Sequence, residues 1–182
     1  MKKKIFIAIN LPESVKNKLI SYTESDNFAL LPVKWIEKEN FHIIIEFLGY
    51  ADDESILKII ERLHDIDGEL DSFDFTFNKI TVWPTKEEPK MIVASGEEDE
   101  NLNELGKKII DALEDIYLVK KGKKYKFKAH ISLGIITRAT ASDFIMEDKD
   151  IKISVPVDSI DLVESFKEGN KTKYATLENI VF

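Results

Sequence analysis

The spacing of apolar and polar residues divides the chain into short strands and amphipathic helices. Ile5 to Ile9 is a continuous apolar run of a length that suits a buried strand. Asn10-Leu11-Pro12-Glu13 then marks a helix start, because a proline in the first turn gives up no hydrogen bond. Val15, Leu19 and Tyr22 follow on one helical face. Val33 to Ile36 is a short extended piece leading to an apolar strand that opens with His42. Asp52-Asp53-Glu54 predicts a second helix start, Ile56, Ile59, Ile60 and Leu63 its apolar face, and Gly68 its end. Phe73, Phe75 and Phe77 alternate, which predicts a strand running on through Ile80 and Val82 to the Trp83-Pro84 break. Lys90 to Ala94 is the next strand. Leu102, Leu105, Ile109, Leu113 and Ile116 place a third helix over 101–117. A lysine-rich turn around Gly122 enters a strand that carries His130. Ile151, Ile153, Val155 and Val157 alternate in a further strand. Residues 160–165 and 174–181 read as a closing hairpin around Glu168-Gly169-Asn170.

The resulting order, β-α-β-β-α-β-β-α-β-β-β, is an α+β pattern with mostly antiparallel pairing. A chain of 182 residues without a low-complexity linker suits a single domain over 1–182. Two strands look alike: Phe41-His42-Ile43-Ile44-Ile45-Glu46-Phe47-Leu48-Gly49 and Phe127-Lys128-Ala129-His130-Ile131-Ser132-Leu133-Gly134. Each follows a strand–helix unit, so an internal duplication with two facing lobes is expected.

Composition narrows the chemistry. With no cysteine, disulfides, thiolate catalysis and cysteine-ligated metal centres are excluded. The apolar runs are too short to span a bilayer as helices, and Lys2-Lys3-Lys4 is followed by a strand rather than a signal-peptide core. A cytoplasmic protein with no membrane association is expected. The formal net charge of −8 argues against a protein that coats long nucleic acid, yet leaves room for a small site for a strand end. Basic charge clusters at Lys120, Lys121, Lys123, Lys124, Lys126 and Lys128, just before His130.

The chain has only three histidines, and two of them open the look-alike strands. His130 and Ser132, two apart on a strand, share one face. Two imidazoles facing each other across a cleft can serve as general base and general acid in one displacement at phosphorus. Ser132 can hydrogen-bond a phosphate oxygen or hold the attacking water. By strand parity Glu46 shares the face of His42. The β-branched run between them argues against a helical metal-ligand pair, and no further ligand is evident. His64, one helical step after Ile60, is expected to be a partly buried structural residue, and Trp35 and Tyr174 are expected to be packing residues.

These blocks resemble the 2H phosphoesterases, specifically the RNA 2′,3′-cyclic phosphodiesterase branch (the 2′-5′ RNA ligase-like proteins). Lys4-Ile5-Phe6-Ile7-Ala8-Ile9 with Pro12-Glu13 is similar to the opening strand and helix of that family. Val33-Lys34-Trp35-Ile36, Asn40-Phe41-His42 and Phe47-Leu48-Gly49 are similar to its first signature block, and Phe127 to Gly134 to its second. Leu162-Val163-Glu164-Ser165 with Gly169 and Tyr174 is similar to its last hairpin. The resemblance implies a bilobal fold, two pseudo-symmetric lobes of antiparallel sheet with flanking helices around a central cleft. It implies hydrolysis of a 2′,3′-cyclic phosphate on an RNA 3′ end or a small cyclic nucleotide, leaving a 2′-phosphate. No metal and no cofactor are implied, and the chain is expected to be a monomer. Carried over, His130 activates water, His42 protonates the departing 3′ oxygen, and Ser132 assists. Phe6 faces the site and packs on a base or ribose. The chain departs from the family pattern at three positions. Ile44 stands where a Thr or Ser is expected, Glu46 where a neutral or basic residue is common, and Ile135 where an Arg often follows the second motif. Lys128 and Arg138 are the candidate substitutes for that Arg. The alternative implied by Ile44 is a catalytically impaired protein that binds a nucleotide or RNA terminus without turnover.

Overall fold

The computed structural model describes residues 2–24, 32–86, 88–116, 127–137 and 147–182. The elements are β1 (Lys3–Asn10), α1 (Glu13–Thr23), β2 (Val33–Trp35), β3 (His42–Ala51), α2 (Asp53–Asp65), β4 (Phe73–Pro84), β5 (Pro89–Gly96), α3 (Glu100–Leu113), β6 (His130–Ile136), β7 (Lys149–Val157), β8 (Ser159–Glu168) and β9 (Lys171–Val181). This is the α+β order expected from the hydrophobic pattern. The third helix ends at Leu113, one turn sooner than its apolar stripe suggested. No helix among the described residues is long and apolar enough to cross a membrane.

Local chemistry fixes the helices. The Asp52 carboxylate accepts from the Ser55 backbone N–H at 3.0 Å and starts α2, and Asp99 accepts from Leu102 N–H at 2.9 Å and starts α3. Helix α2 buries Ile56, Ile59 and Leu63, while α3 buries Leu102, Leu105, Ile109 and Leu113. Each fully buried aliphatic side chain of this size stabilises the fold by about 1.5–3 kcal/mol.

All strand pairs are antiparallel and form two sheets, ordered β3-β1-β8-β9 and β2-β6-β5-β4-β7. The two sheets place their histidine strands alike. In one sheet the histidine strand β3 lies against β1, followed by β8 and β9; in the other β6 lies against β5, followed by β4 and β7. The sheets exchange elements along the chain, however. β2 comes from the N-terminal half yet pairs with β6, placing Trp35 opposite Gly134. A methyl group on Gly134 would lie 2.3 Å from Val33 Cγ1 and 2.8 Å from Trp35 Cε3, so any side chain here makes β2 shift its packing. Side chains of both sheets, among them Ile5, Ile43, Ile92, Ile131 and Leu162, join in one continuous core.

Candidate functional site

Alternation sets the direction of both histidines. In β3, Ile43 and Ile45 enter the main core, leaving His42 and Ile44 on the other face of the sheet. In β6, Ile131 and Leu133 enter the core, leaving His130 and Ser132 on the other face. β3 and β6 also lie against each other where the two sheets meet. The two look-alike strands are therefore neighbours in space, although 88 positions separate their histidines in sequence.

Both imidazoles are tied to the backbone two residues earlier. His130 Nδ1 is 3.0 Å from the Lys128 carbonyl oxygen. A carbonyl only accepts, so this contact assigns the proton of a neutral His130 to Nδ1 and leaves Nε2 with its lone pair. His42 makes the equivalent hydrogen bond to the Asn40 backbone.

The surroundings of the two rings differ. His42 lies between aromatic rings: Phe6 is 5.1 Å away and tilted, and Tyr174 stands perpendicular to it at 5.0 Å. Burial strips water from the His42 imidazole and pushes its pKa down to about 4; the Asn40 hydrogen bond opposes this, and the Lys16 charge adds to it. His42 is neutral at pH 7. His130 instead stacks face to face on the Trp83 indole, with centroids 5.1 Å apart and planes 10° apart.

Phe6 faces His42 as expected, but it is only 2% exposed and is also ringed by Phe47 and Tyr174, so its contact is with the imidazole. Ser132 Oγ has Met91 Sδ as its neighbour at 3.8 Å, a weak acceptor that an incoming oxygen displaces readily. Lys128 is exposed and contributes its carbonyl to His130. Arg138 lies outside the described residues, as do all the clustered lysines but Lys128. Ile44 packs with Phe6, Ala8 and Val163 in a small apolar cluster beside His42. Glu46 does not follow simple parity: bulges on both sides of it set Glu46 opposite core-facing Ile7 and bring Phe47 beside Phe6. Burial raises the Glu46 carboxyl above its ordinary value. His64 is exposed rather than partly buried, 3.2 Å from Glu178 and 3.7 Å from Asp67. Among the described residues no group of three or more His, Asp or Glu side chains could hold a metal ion.

Sequence reasoning passed over Trp83, which marked only a strand end, and assigned Tyr174 to packing. Both touch a candidate histidine from strands distant in sequence, and no local pattern signals such a contact. It also passed over a cavity of about 110 Å³ beside His42, lined by Lys16, Asp161, Tyr174 and Thr176 among others.

The family model described as LigT like Phosphoesterase matches residues 9–93, a span that contains His42 but not His130. The chain is 31% identical over 101 residues to a Bacillus subtilis (strain 168) protein named RNA 2′,3′-cyclic phosphodiesterase; the match covers 55% of this chain and about half, 54%, of that relative. It is 28% identical over 152 residues to a Methanocaldococcus jannaschii protein of the same name, covering 81% of this chain and 82% of the relative. The fold matches the crystal structure of E. coli LigT complexed with 3′-AMP with a TM-score of 0.80 at 16% identity, covering 100% of this chain and 98% of that one. It matches a crystal structure from Thermus thermophilus with a TM-score of 0.82 at 22% identity, covering 98% of this chain and 97% of the other.

Proposed function

We propose that this chain, a LigT-like 2H phosphoesterase by family resemblance and fold, hydrolyses a 2′,3′-cyclic phosphate on an RNA end or a small cyclic nucleotide, without a metal. The observation that carries the reading is the adjacency of β3 and β6, each presenting a backbone-tethered histidine on the face turned away from the core. The names of the relatives supply the substrate class.

In this reading the oxygen of a water bonds to phosphorus as the bond from phosphorus to O3′ breaks, its electron pair staying on O3′. One imidazole takes the water proton and the other delivers a proton to O3′, leaving a 2′-phosphomonoester and a 3′ hydroxyl. We assign His42 as the base and His130 as the acid, the reverse of the division implied by the family resemblance. His42 is neutral at pH 7 and so ready to accept a proton. As the acid, His130 carries both ring protons, one held by the Lys128 carbonyl at Nδ1 and the other, on Nε2, delivered to O3′. Ser132 hydrogen-bonds a non-bridging oxygen, and Lys128 offers a cation near the acid. Phe6 holds His42 in place.

A second reading rests on Ile44. Its apolar contacts supply no donor to the developing charge, and one lost donor of this kind costs roughly 100- to 1000-fold in rate. On that reading the chain binds the nucleotide without turning it over. The test is incubation of an oligoribonucleotide ending in a 2′,3′-cyclic phosphate, in EDTA, with the wild type and with His130→Ala. Turnover to a 2′-phosphate by the wild type alone supports the enzyme. Saturable binding without turnover supports the second reading, and a 3′-phosphate product contradicts the assigned bond cleavage.

A further inference from the structure

Two buried charges beside His42 have no part in the chemistry above. Lys16, near the start of α1, is 7% exposed, and Asp161 of β8 is 5% exposed. A buried charge costs several kcal/mol unless it is paired or hydrogen-bonded. No ion pair joins these two. Lys16 Nζ forms a long ion pair with Glu13 Oε1 at 3.7 Å, and the other oxygen of Glu13 accepts from Lys38 at 3.2 Å. Among the described residues Asp161 has only neutral side-chain donors, Asn179 Nδ2 at 2.6 Å and Thr176 Oγ1 at 3.4 Å, which leave acceptor capacity on a carboxylate.

Both side chains line the cavity that also contacts His42. At about 110 Å³ it exceeds the 10–15 Å³ or so that a single ordered water needs. Its floor follows from register. Ala8 pairs with Asp161 across the sheet, so an apolar and an acidic residue stand side by side on its lining, with Ile44 beyond Ala8 outside the cavity. Exposed Glu39 adds a second carboxylate. One ammonium and two carboxylates on a lining shared with His42 suit one phosphate oxygen and one hydrogen-bond donor. They do not suit a second phosphate.

We propose that Lys16 and Asp161 form a subsite for the nucleotide that carries the reactive phosphate, Lys16 donating to a phosphate oxygen and Asp161 accepting from a hydroxyl or amino group of the nucleoside. The proposal rests on the nucleotide reading above.

The test measures binding of adenosine 2′-monophosphate and of inorganic phosphate by calorimetry to the wild type, Lys16→Met and Asp161→Asn. Lys16→Met weakens both ligands about 10- to 100-fold, the range for a lost charged hydrogen bond. Asp161→Asn weakens the nucleotide about tenfold and leaves phosphate unchanged, a split that a merely structural role would not produce. A nucleotide lacking the exocyclic amino group assigns the donor: a persisting Asp161 effect points to a sugar hydroxyl, a vanished one to the base. Should a variant fail to fold, the carboxyl 13C resonance of Asp161 in the unmutated chain decides, since it shifts on nucleotide addition if the subsite is real. Unchanged affinities, or a static Asp161 resonance, overturn the subsite. Hydrolysis with unaffected variants removes the subsite and leaves the enzyme; nucleotide binding through Asp161 without hydrolysis removes the enzyme and leaves the subsite.

Discussion

The environment of His42 makes acid stability a quantitative probe of the site. Burial moves this imidazole from its ordinary value of 6.5 to about 4, so the unfolded chain binds a proton at a higher pH than the folded one does. Above pH 6.5 both states are neutral at this position and the contribution to stability is complete. As pH falls below 6.5 the unfolded state takes up the proton first, and stability is lost until the folded ring also titrates near 4. At 1.36 kcal/mol per pH unit the full loss is about 3 kcal/mol, of which about 2 kcal/mol is gone by pH 5. Urea denaturation of the wild type and of His42→Gln at pH 7, 6, 5 and 4.5 isolates this term. The carboxylates that drive general acid unfolding are common to both proteins and cancel in the difference. The variant is less stable at pH 7 through lost packing on Phe6 and Tyr174, and the gap narrows by about 2 kcal/mol at pH 5. Parallel curves would refute the reasoning, because they would mean that His42 titrates alike in both states and is not desolvated.

Other expectations follow from single contacts. Ile44→Thr places a hydroxyl beside Phe6, Ala8 and Val163; kcat rises by up to about 100-fold while thermal stability drops, and an unchanged kcat means that another group, such as Lys16, already serves. Trp83→Ala removes the stack on His130; kcat falls about 2- to 10-fold with KM little changed, and Trp83→Phe restores most of it, as steady-state kinetics will show. Gly134→Ala forces a methyl group into Val33 and Trp35; denaturation shows a loss of about 1–3 kcal/mol, the usual cost of overpacking.

Where the sequence was legible, the reason was regular alternation. His130, Ile131, Ser132 and Leu133 obey period 2 without interruption, so the shared face of His130 and Ser132 is present in the structure. The same rule fails in β3, where bulges shift the register and Gly49, at a φ of 78°, follows an extra residue; Glu46 therefore parts from the face of His42. Apolar stripes located all three helices, and Asp52 and Asp99 cap α2 and α3 in the ordinary way. The exchange of β2 into the second sheet could not be read, because a three-residue strand carries too little pattern to choose a partner. Trp83 on His130, Tyr174 on His42 and the burial of Lys16 with Asp161 all arise from packing between distant elements. Such contacts leave no local periodicity. They are also what distinguishes the environment of one histidine from that of the other.

Cooperation between the two histidines is tested most directly by measuring hydrolysis of the cyclic-phosphate RNA in EDTA for the wild type, His42→Ala, His130→Ala and the double variant. Groups that act as base and acid in one step are strongly non-additive. Each single variant is expected to lose most of the rate, and the double variant to be hardly slower than the worse single one. Hydrolysis by the double variant at the wild-type rate would contradict the two-histidine mechanism outright.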